Sequence, residues 1–581
     1  MNMKKTGAWL VRYALEELGI TYTFGIPGVH NTEIYDELNL SKTITPILVT
    51  HEACASFMAD AISRTSDKTG TLVIVPAAGA AYASAGIGEA FLDGIPMIVI
   101  SGGVRTDGKY AFQLHEMNQQ NFLAEITKKT FKINEHKDIV PAIFEAYRIA
   151  HDGEPGPVFV EVPVNLQLYA GEIENLSPYD SKDKKSGFDP DDALIDQAVE
   201  LIMSAKNPGI FAGWGARDAT DNLVRIAEYL NAPVCTTLQG LSVFPGNHPL
   251  HTGMGFGGYA VPAASNAFKN CDCMLAIGTR FGEIATGSFG VAVPENLIHI
   301  DINPSVFNVN YPARVIIKGD ALNMLHAVLQ KLQQKQNPQN HRTHIRDQIK
   351  KDKQSYKKEW LAHNSGTRVN PAVFFEKLRN SLKDDDFVVA DDGNHTFLAA
   401  ELMPIHASRR FISPTDFNCM GYAVPAVIGT KLAHPENQVV GIIGDGAFTM
   451  TCMEILTATS LKTGAVFFVF KDGELSQIAQ AQELPYNRKV CTVLGNLSIK
   501  GVAMATGAQF LMMKRNEDAE TVITKALQLA AGHTPVIVEV NIDYKKHTRF
   551  TKGILKTNLN RFNLGTKARF IGRAMVRHIT G

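Results

Sequence analysis

The sequence predicts an α/β protein built as three consecutive doubly wound parallel-sheet domains. Short apolar runs rich in Val, Ile and Phe alternate with helical patterns along almost the whole chain, the mark of βαβ units. Two polar, charged stretches interrupt the alternation and read as connections between units. A length of 581 residues suits three domains that each bury a core of their own.

MNMKKTGAWLVRYALEELGI is charged and then apolar, but Glu16 and Glu17 interrupt the run and its period is helical. It reads as a first core helix rather than a signal peptide. TYTFGI, ITPILVT, GTLVIV, IPMIVIS and GPVFVEVP then give the strands of a first domain over residues 1–172. ENLSPYDSKDKKSGFDPDD reads as a linker. PGIFAGWG, APVCTTL, CMLAIGT and NLIHIDI place a middle domain over 190–335. Within it Gly213-Trp214-Gly215 reads as a strand-to-helix turn, since the full dinucleotide fingerprint is absent. LQQKQNPQNHRTHIRDQIKKDKQSYKKEW is a charged helical run, expected to be a solvated connector. DFVVAD, RRFIS, VVGIIGD, AVFFVF, GAQFLMM and TPVIVEVN make a third domain over 365–545, and 546–581 remain as a basic extension.

At 45% hydrophobic and 20% charged residues the chain is not of the disordered class. A net charge of −1 argues against nucleic acid as a partner. No run approaches the length of an apolar membrane span, so cytoplasm is the expected compartment. Seven scattered cysteines, of which only Cys271 and Cys273 are close, fit buried reduced thiols better than a disulfide framework.

The chemical signal lies between Gly444-Asp445-Gly446 and Lys471-Asp472-Gly473-Glu474, separated by 24 residues. Each end follows an apolar strand, and Phe448, Met453, Leu456 and Leu461 give the intervening stretch a helical pattern. A βαβ unit brings both strand ends to one sheet edge, so Asp445 and Asp472 are expected to meet. Gly-Asp-Gly alone occurs in ordinary turns. Two carboxylates beside glycines, at this spacing, point instead to Mg²⁺ shared with the oxygens of a diphosphate.

The segment resembles the thiamine diphosphate motif, and about residues 5–545 resemble the acetolactate synthase branch of the thiamine diphosphate-dependent 2-oxo-acid enzymes. THEACASFMADAISR, AFLDGIPMIVISG, AFQ, ITK and GPVFVEVPVNLQ carry the likeness in the first domain. TTLQGLSVFPGNHPLHTGM, IGTRFGE and IHIDINP carry it in the middle, and DDGNH and MGYAVPAVIGTKLA in the third. The resemblance implies that the first domain holds the pyrimidine ring and the third the diphosphate, in an obligate dimer or homotetramer with sites between subunits. Glu52 would hydrogen-bond the aminopyrimidine and favour the imino form that deprotonates the thiazolium carbon; as a helix-start acid it also suits the dipole. Met420, 25 residues before Asp445, would be the apolar wedge that bends the cofactor, although a lone Met is also ordinary core. The Asn418 carbonyl would accept from the aminopyrimidine. Gly393, Asn394, His395, Gly444, Gly446 and Ala447 would cradle the diphosphate, with Asp445, Asp472 and the Glu474 carbonyl on the metal. Gln113, Lys128 and Arg280 resemble active-site residues, the last near a flavin; Arg280 could equally form a surface ion pair. FAD stays open, because the family keeps its middle domain with and without it.

Four features depart from that family's pattern: Lys471-Asp472 in place of Asn-Asn, Ala481 where a substrate-selecting tryptophan is typical, Ala77-Ala78-Gly79 in place of Gly-Pro-Gly, and His30-Asn31 where small residues are usual. They touch the substrate pocket more than the cofactor cradle. The expected reaction is therefore decarboxylation of a 2-oxo acid such as pyruvate and transfer of the two-carbon unit to a second carbonyl compound, a transferase activity. The alternatives are a related lyase, decarboxylase or oxidase on another 2-oxo acid or diketone, or a non-catalytic homologue. The adjacent histidine pair of simple decarboxylases is missing, since Leu114-His115-Glu116 has one His. From Lys545 onward there are ten Lys/Arg and no acid, which leaves −11 on the rest. Arg569, Arg573 and Arg577 fall on one helical face, so this tail is expected either to pack on the enzyme or to touch an anionic membrane peripherally.

Overall fold

Each apolar run becomes a strand, and the strands form three six-stranded sheets. Neighbours within these sheets are parallel throughout. The computed structural model describes residues 3–174, 176–180, 189–335 and 343–580; parts of the linker and connector fall outside them. In the first sheet the spatial order is Thr45–Leu48, Tyr22–Gly25, Gly70–Ile74, Met97–Gly103, Pro157–Pro163, Lys129–Lys132. The third repeats that 2-1-3-4-6-5 order with Phe411–Ile412, Phe387–Ala390, Val439–Gly444, Val466–Phe470, Val536–Val540 and Gln509–Met513. The middle sheet differs: His251–Met254, Val234–Thr236, Pro208–Ala212, Cys273–Ile277, Asn296–Asp301, Val315–Lys318. That is the 3-2-1-4-5-6 order of dinucleotide-binding folds.

Three strands lie outside those runs: Lys129–Lys132 and His251–Met254, which have no apolar run, and Val315–Lys318, whose run VIIK is short. All three are sheet edges, where one flank is unpaired and the hydrophobic demand is weaker. A short antiparallel pair, Met3–Thr6 with Ala170–Ile173, ties the two ends of the first domain together. The helix read from the amino terminus follows it at Gly7–Glu17.

The first and third domains meet through the Glu52–Thr65 and Ala423–Ala433 helices, which cross so closely that a Cβ on Gly429 would lie 2.5 Å from the Met58 carbonyl. Buried polar groups fix this crossing: Tyr422 Oη donates to Asp60 at 2.6 Å, and Arg64 bridges Asp60 (2.6 Å) and Asp93 (2.9 Å). Glu454 is fully buried because it accepts from the Thr50 amide (3.0 Å) and the Thr457 hydroxyl (2.7 Å). The helical stretch around it is broken into Asp445–Thr451, a single 3₁₀ turn and Ile455–Ser460, with Met453, Leu456 and Leu461 exposed.

The expectation of a solvated connector is wrong for its described part. Ile345–Leu361 is a helix that buries Ile345, Ile349, Tyr356 and Trp360, which fall at i, i+4, i+11 and i+15 on one face. Charged residues on the other faces mask that stripe. Trp360 is 0% exposed and lies beneath the Lys546 ammonium, 4.7 Å from its ring. Beyond it the extension forms two helices. Arg549–Arg561 anchors through Phe550, stacked on Phe397 at 3.9 Å. Leu564–Thr580 lies against the Ser476–Tyr486 helix, and Asn487 Nδ2 donates to the Arg577 carbonyl at 3.1 Å. Among the described residues no helix is long and apolar enough to cross a membrane.

Candidate active site

In the third sheet the chain leaves its first strand, Phe387–Ala390, in one direction and returns on its other side with Val439–Gly444. The crevice beyond the carboxyl ends at such a switch point is where open α/β sheets bind ligands. A cleft of about 210 Å³ opens there. Gly393, Asn394, His395, Asn418, Met420, Gly444, Asp445, Gly446, Ala447, Asp472 and Glu474 all line it.

Local sequence explains the placement. Gly444 and Phe470 are register partners, so Asp445, one residue past the first, and Asp472, two past the second, emerge at the same sheet edge. Asp445 accepts from the Gly473 amide at 2.8 Å, and burial raises its carboxyl above the usual range. Asp472 takes the Ser476 hydroxyl; burial, with the neighbouring Asp445 charge, pushes it up to about 6. Two buried acids at one edge, both raised by burial, are a donor set that fits a cation. Lys471 only partly supplies it, because its ammonium pairs with Glu539 at 3.4 Å. The Glu474 side chain turns away to Lys489, while its segment is laced to residues 492–494.

Gly393 is required by its φ of 145° and because a Cβ there would stand 2.6 Å from His395. The Gly444 amide donates to His395 Nε2 at 3.3 Å, and burial pushes this imidazole down to about 3, so it is neutral. Asp391, fully buried, accepts from the amides of Gly421 (2.8 Å), Ala423 (2.7 Å) and Asp392 (2.9 Å). It thereby pins the turn that presents Asn418, in left-handed conformation (φ 63°), and Met420.

Sequence reasoning quoted Asp391-Asp392 only as part of a motif and did not single out Ser476, Gln477, Ile478 or Tyr544, which also line the cleft. The Gln477 Oε1 atom is buried without a partner, an acceptor held in reserve on the cleft wall. Among the described residues no cluster of three or more metal-ligating side chains exists. Two carboxylates, a backbone carbonyl and ligand phosphates are the Mg²⁺ pattern that needs none.

The other four site residues lie elsewhere. Glu52 opens its helix at the carboxyl edge of the first sheet, 7% exposed, with Oε1 3.5 Å from where a Gly79 Cβ would sit. At the same edge His30 meets His115, Nδ1 to Nδ1 at 3.3 Å, and burial followed by the His115 charge lowers His30. Gln113 donates to the Arg105 carbonyl at 2.9 Å within an exposed segment. Lys128 caps the 152–154 turn, donating to the carbonyls of Asp152 and Glu154 (2.8 Å). Arg280 pairs with Asp416 and, at 3.7 Å, with Glu154.

Arg280 also lines a second cavity, about 240 Å³, at the switch point of the middle sheet. Gly213-Trp214-Gly215 is indeed a strand-to-helix turn there, facing Gly278, Thr279, Asp301 and Asp320 across the opening. The Trp214 Nε1 donor is buried without a partner.

Family models agree with this division of labour. The amino-terminal thiamine pyrophosphate-binding domain matches residues 5–124, the central domain of thiamine pyrophosphate enzymes 195–329, and the carboxyl-terminal thiamine pyrophosphate-binding domain 391–540. The acetolactate synthase isozyme 3 large subunit of Escherichia coli is 30% identical over 93% of this chain and 96% of its own. The acetolactate synthase large subunit of Haemophilus influenzae is 30% identical over 94% and 96%, and the mitochondrial catalytic subunit of Saccharomyces cerevisiae 28% over 93% and 81%. With its three parallel-sheet domains, and with a cleft where two strand ends present paired carboxylates, the chain belongs to the thiamine pyrophosphate-dependent enzymes as an acetolactate synthase-like member.

Proposed function

We propose that the protein is a thiamine diphosphate- and Mg²⁺-dependent carboligase that decarboxylates a 2-oxo acid such as pyruvate and joins the two-carbon unit to a second carbonyl compound. One observation carries this reading: eleven residues from four separate loops line one cleft at a sheet switch point. Bound thiamine diphosphate supplies the carbon nucleophile and electron sink that decarboxylation needs. Asp445, Asp472 and the Glu474 carbonyl hold Mg²⁺, and the amides opening the Asn394–Leu402 helix take the diphosphate. Met420 props the cofactor, and the rigid turn behind it keeps the Asn418 carbonyl available.

Glu52 does not line this cleft in its own chain, so the reading needs a second copy to bring its Glu52 edge over it. Exposed apolar groups support that assembly. Val29, Tyr110, Phe112 and Leu114 belong to the first-domain edge, and Met450, Met453 and Leu456 to the helices following Asp445; such a set on a soluble fold marks an interaction surface. Gln113 shares the Glu52 edge, whereas Lys128 and Arg280 act through the loop that borders the middle cavity. The 3-2-1-4-5-6 order and the orphaned Trp214 donor suit FAD there, and a yellow purified protein would carry it.

The His30–His115 pair favours a second reading, a lyase or decarboxylase that releases aldehyde. The histidine pair missing from one motif is rebuilt from two loops. A carbon dioxide-release screen across 2-oxo acids, with product analysis and with Mg²⁺ and thiamine diphosphate withheld in turn, tests both readings. Turnover independent of either additive sinks them together.

A further inference from the structure

A third cavity, about 310 Å³, lies between the middle and third domains, away from both switch points. Its walls come from the middle-sheet edge strand His251–Met254, the Ile345–Leu361 helix, the Pro371–Ser381 helix and the carboxyl end of the Asn394–Leu402 helix. Leu241, Val261, Phe375, Met403 and Ile405 make much of it apolar.

Its polar groups are not balanced. Each lining acid has partners: Asp352 accepts from Asn266 and Gln348 at 2.9 Å, Glu376 pairs with Lys357 at 2.7 Å, and Glu401 accepts from Tyr356 (2.5 Å) and the Phe550 amide (2.9 Å). Arg379 is spent on the Leu382 and Lys383 carbonyls. Lys353 is different. Its ammonium reaches only the Gly246 carbonyl and His251 Nδ1, both at 3.3 Å, with no carboxylate within ion-pair distance among the described residues. Because Lys353 donates to Nδ1, the imidazole carries its proton on Nε2, and that buried Nε2 has no acceptor. Burial lowers the Lys353 amine to about 8, which still leaves it mainly cationic at neutral pH.

We infer that this cavity binds an apolar monocarboxylate, its carboxylate taken by the Lys353 ammonium and its hydrocarbon body by the Leu241–Phe375–Ile405 wall. An ammonium on a cavity wall with no carboxylate paired to it matches a carboxylate ligand. An apolar chamber with one polar end matches such a ligand. The site also touches catalysis: Ala400, Glu401 and Leu402 form its wall, and Gly393–His395, at the other end of the same helix, line the thiamine cleft. That helix spans only about 13 Å. Occupancy is therefore expected to change cofactor affinity by about fivefold or more; this coupling rests on the cofactor reading above, whereas the binding does not.

The test is calorimetry on the full chain without cofactor, using 4-methylpentanoate as probe and 4-methylpentanol as its uncharged control. Saturable binding of the acid at millimolar concentration is expected, with none of the alcohol. Lys353→Met should abolish it and Lys353→Arg retain part of it, with basal turnover unchanged in both. Circular dichroism on each variant separates loss of the site from loss of the fold. Absence of binding, equal binding of acid and alcohol, or binding unchanged in Lys353→Met overturns the site. Binding that leaves thiamine diphosphate affinity unmoved overturns the coupling.

Discussion

The carboxyl edges of the first and third sheets share a strand order but not a state of completion. The third-domain edge is finished within one chain: its acids are buried, its glycines are fixed by His395, and its turn is pinned by Asp391. The first-domain edge is open. Phe112 is 99% exposed, Phe112 and His115 hold positive φ, and Gln113 is tethered only within its own segment. The contrast teaches which part of the active site one chain can preorganise alone. On the proposed reading, binding and metal chemistry would reside on the rigid edge, and proton handling and substrate choice on the edge that a neighbour would complete.

The largest break in that comparison is Glu52→Gln. If the open edge handles protons, turnover falls by about 10²–10⁴-fold while cofactor affinity by calorimetry stays near the native value. Turnover unchanged for every accepted 2-oxo acid would remove Glu52 from the mechanism. Asp445→Asn breaks the other edge. It should weaken Mg²⁺-dependent thiamine diphosphate binding on the order of 100-fold, as loss of a buried charged contact does. Saturating cofactor should then restore part of the rate, a rescue that Glu52→Gln does not show.

Much of the rigid edge was legible because its signals are local. Gly-Asp-Gly after one apolar strand and Asp-Gly-Glu after the next place two carboxylates by topology alone. The open edge was less so. His30 and His115 stand far apart in sequence, and only the fold brings their rings together. Edge strands such as Lys129–Lys132 escaped because their surroundings demand little hydrophobicity. The buried stripe of the Ile345–Leu361 helix escaped because charges outnumber it. Lys353 lies on the connector helix and His251 on the middle-sheet edge, so neither carries a signal alone.

A smaller effect sharpens the comparison through product rather than rate. His115→Gln should lower the ratio of released aldehyde to ligated product by about tenfold if the pair delivers the proton to the carbanion that decarboxylation leaves in the site. Because burial and His115 lower the His30 pKa, His30 is neutral at pH 7 and gains its proton only below the ordinary histidine range. Aldehyde release by the native enzyme should then rise as pH falls into that range, and the rise should vanish in His30→Gln. A product ratio indifferent to both residues and to pH leaves the carboligase reading alone.

The smallest effect concerns the basic tail. Its last helix turns Lys567, Phe570, Ala574 and Arg577 toward the body and leaves Ile571, Met575 and Ile579 exposed. It rests on the Ser476–Tyr486 helix, whose Gln477 and Ile478 line the rigid cleft. We propose that it steadies that wall rather than serving a membrane. Truncation after Phe562 spares the Phe550 anchor, so it should leave the fold intact and weaken cofactor binding by about two- to fivefold, the loss of roughly 0.5–1 kcal/mol. Co-sedimentation with anionic liposomes should be equal for the full and shortened chains. Pelleting that needs residues 563–581, with cofactor affinity unchanged, would reverse the assignment. The exposed Ile571–Ile579 stripe beside its arginines would then be a membrane contact.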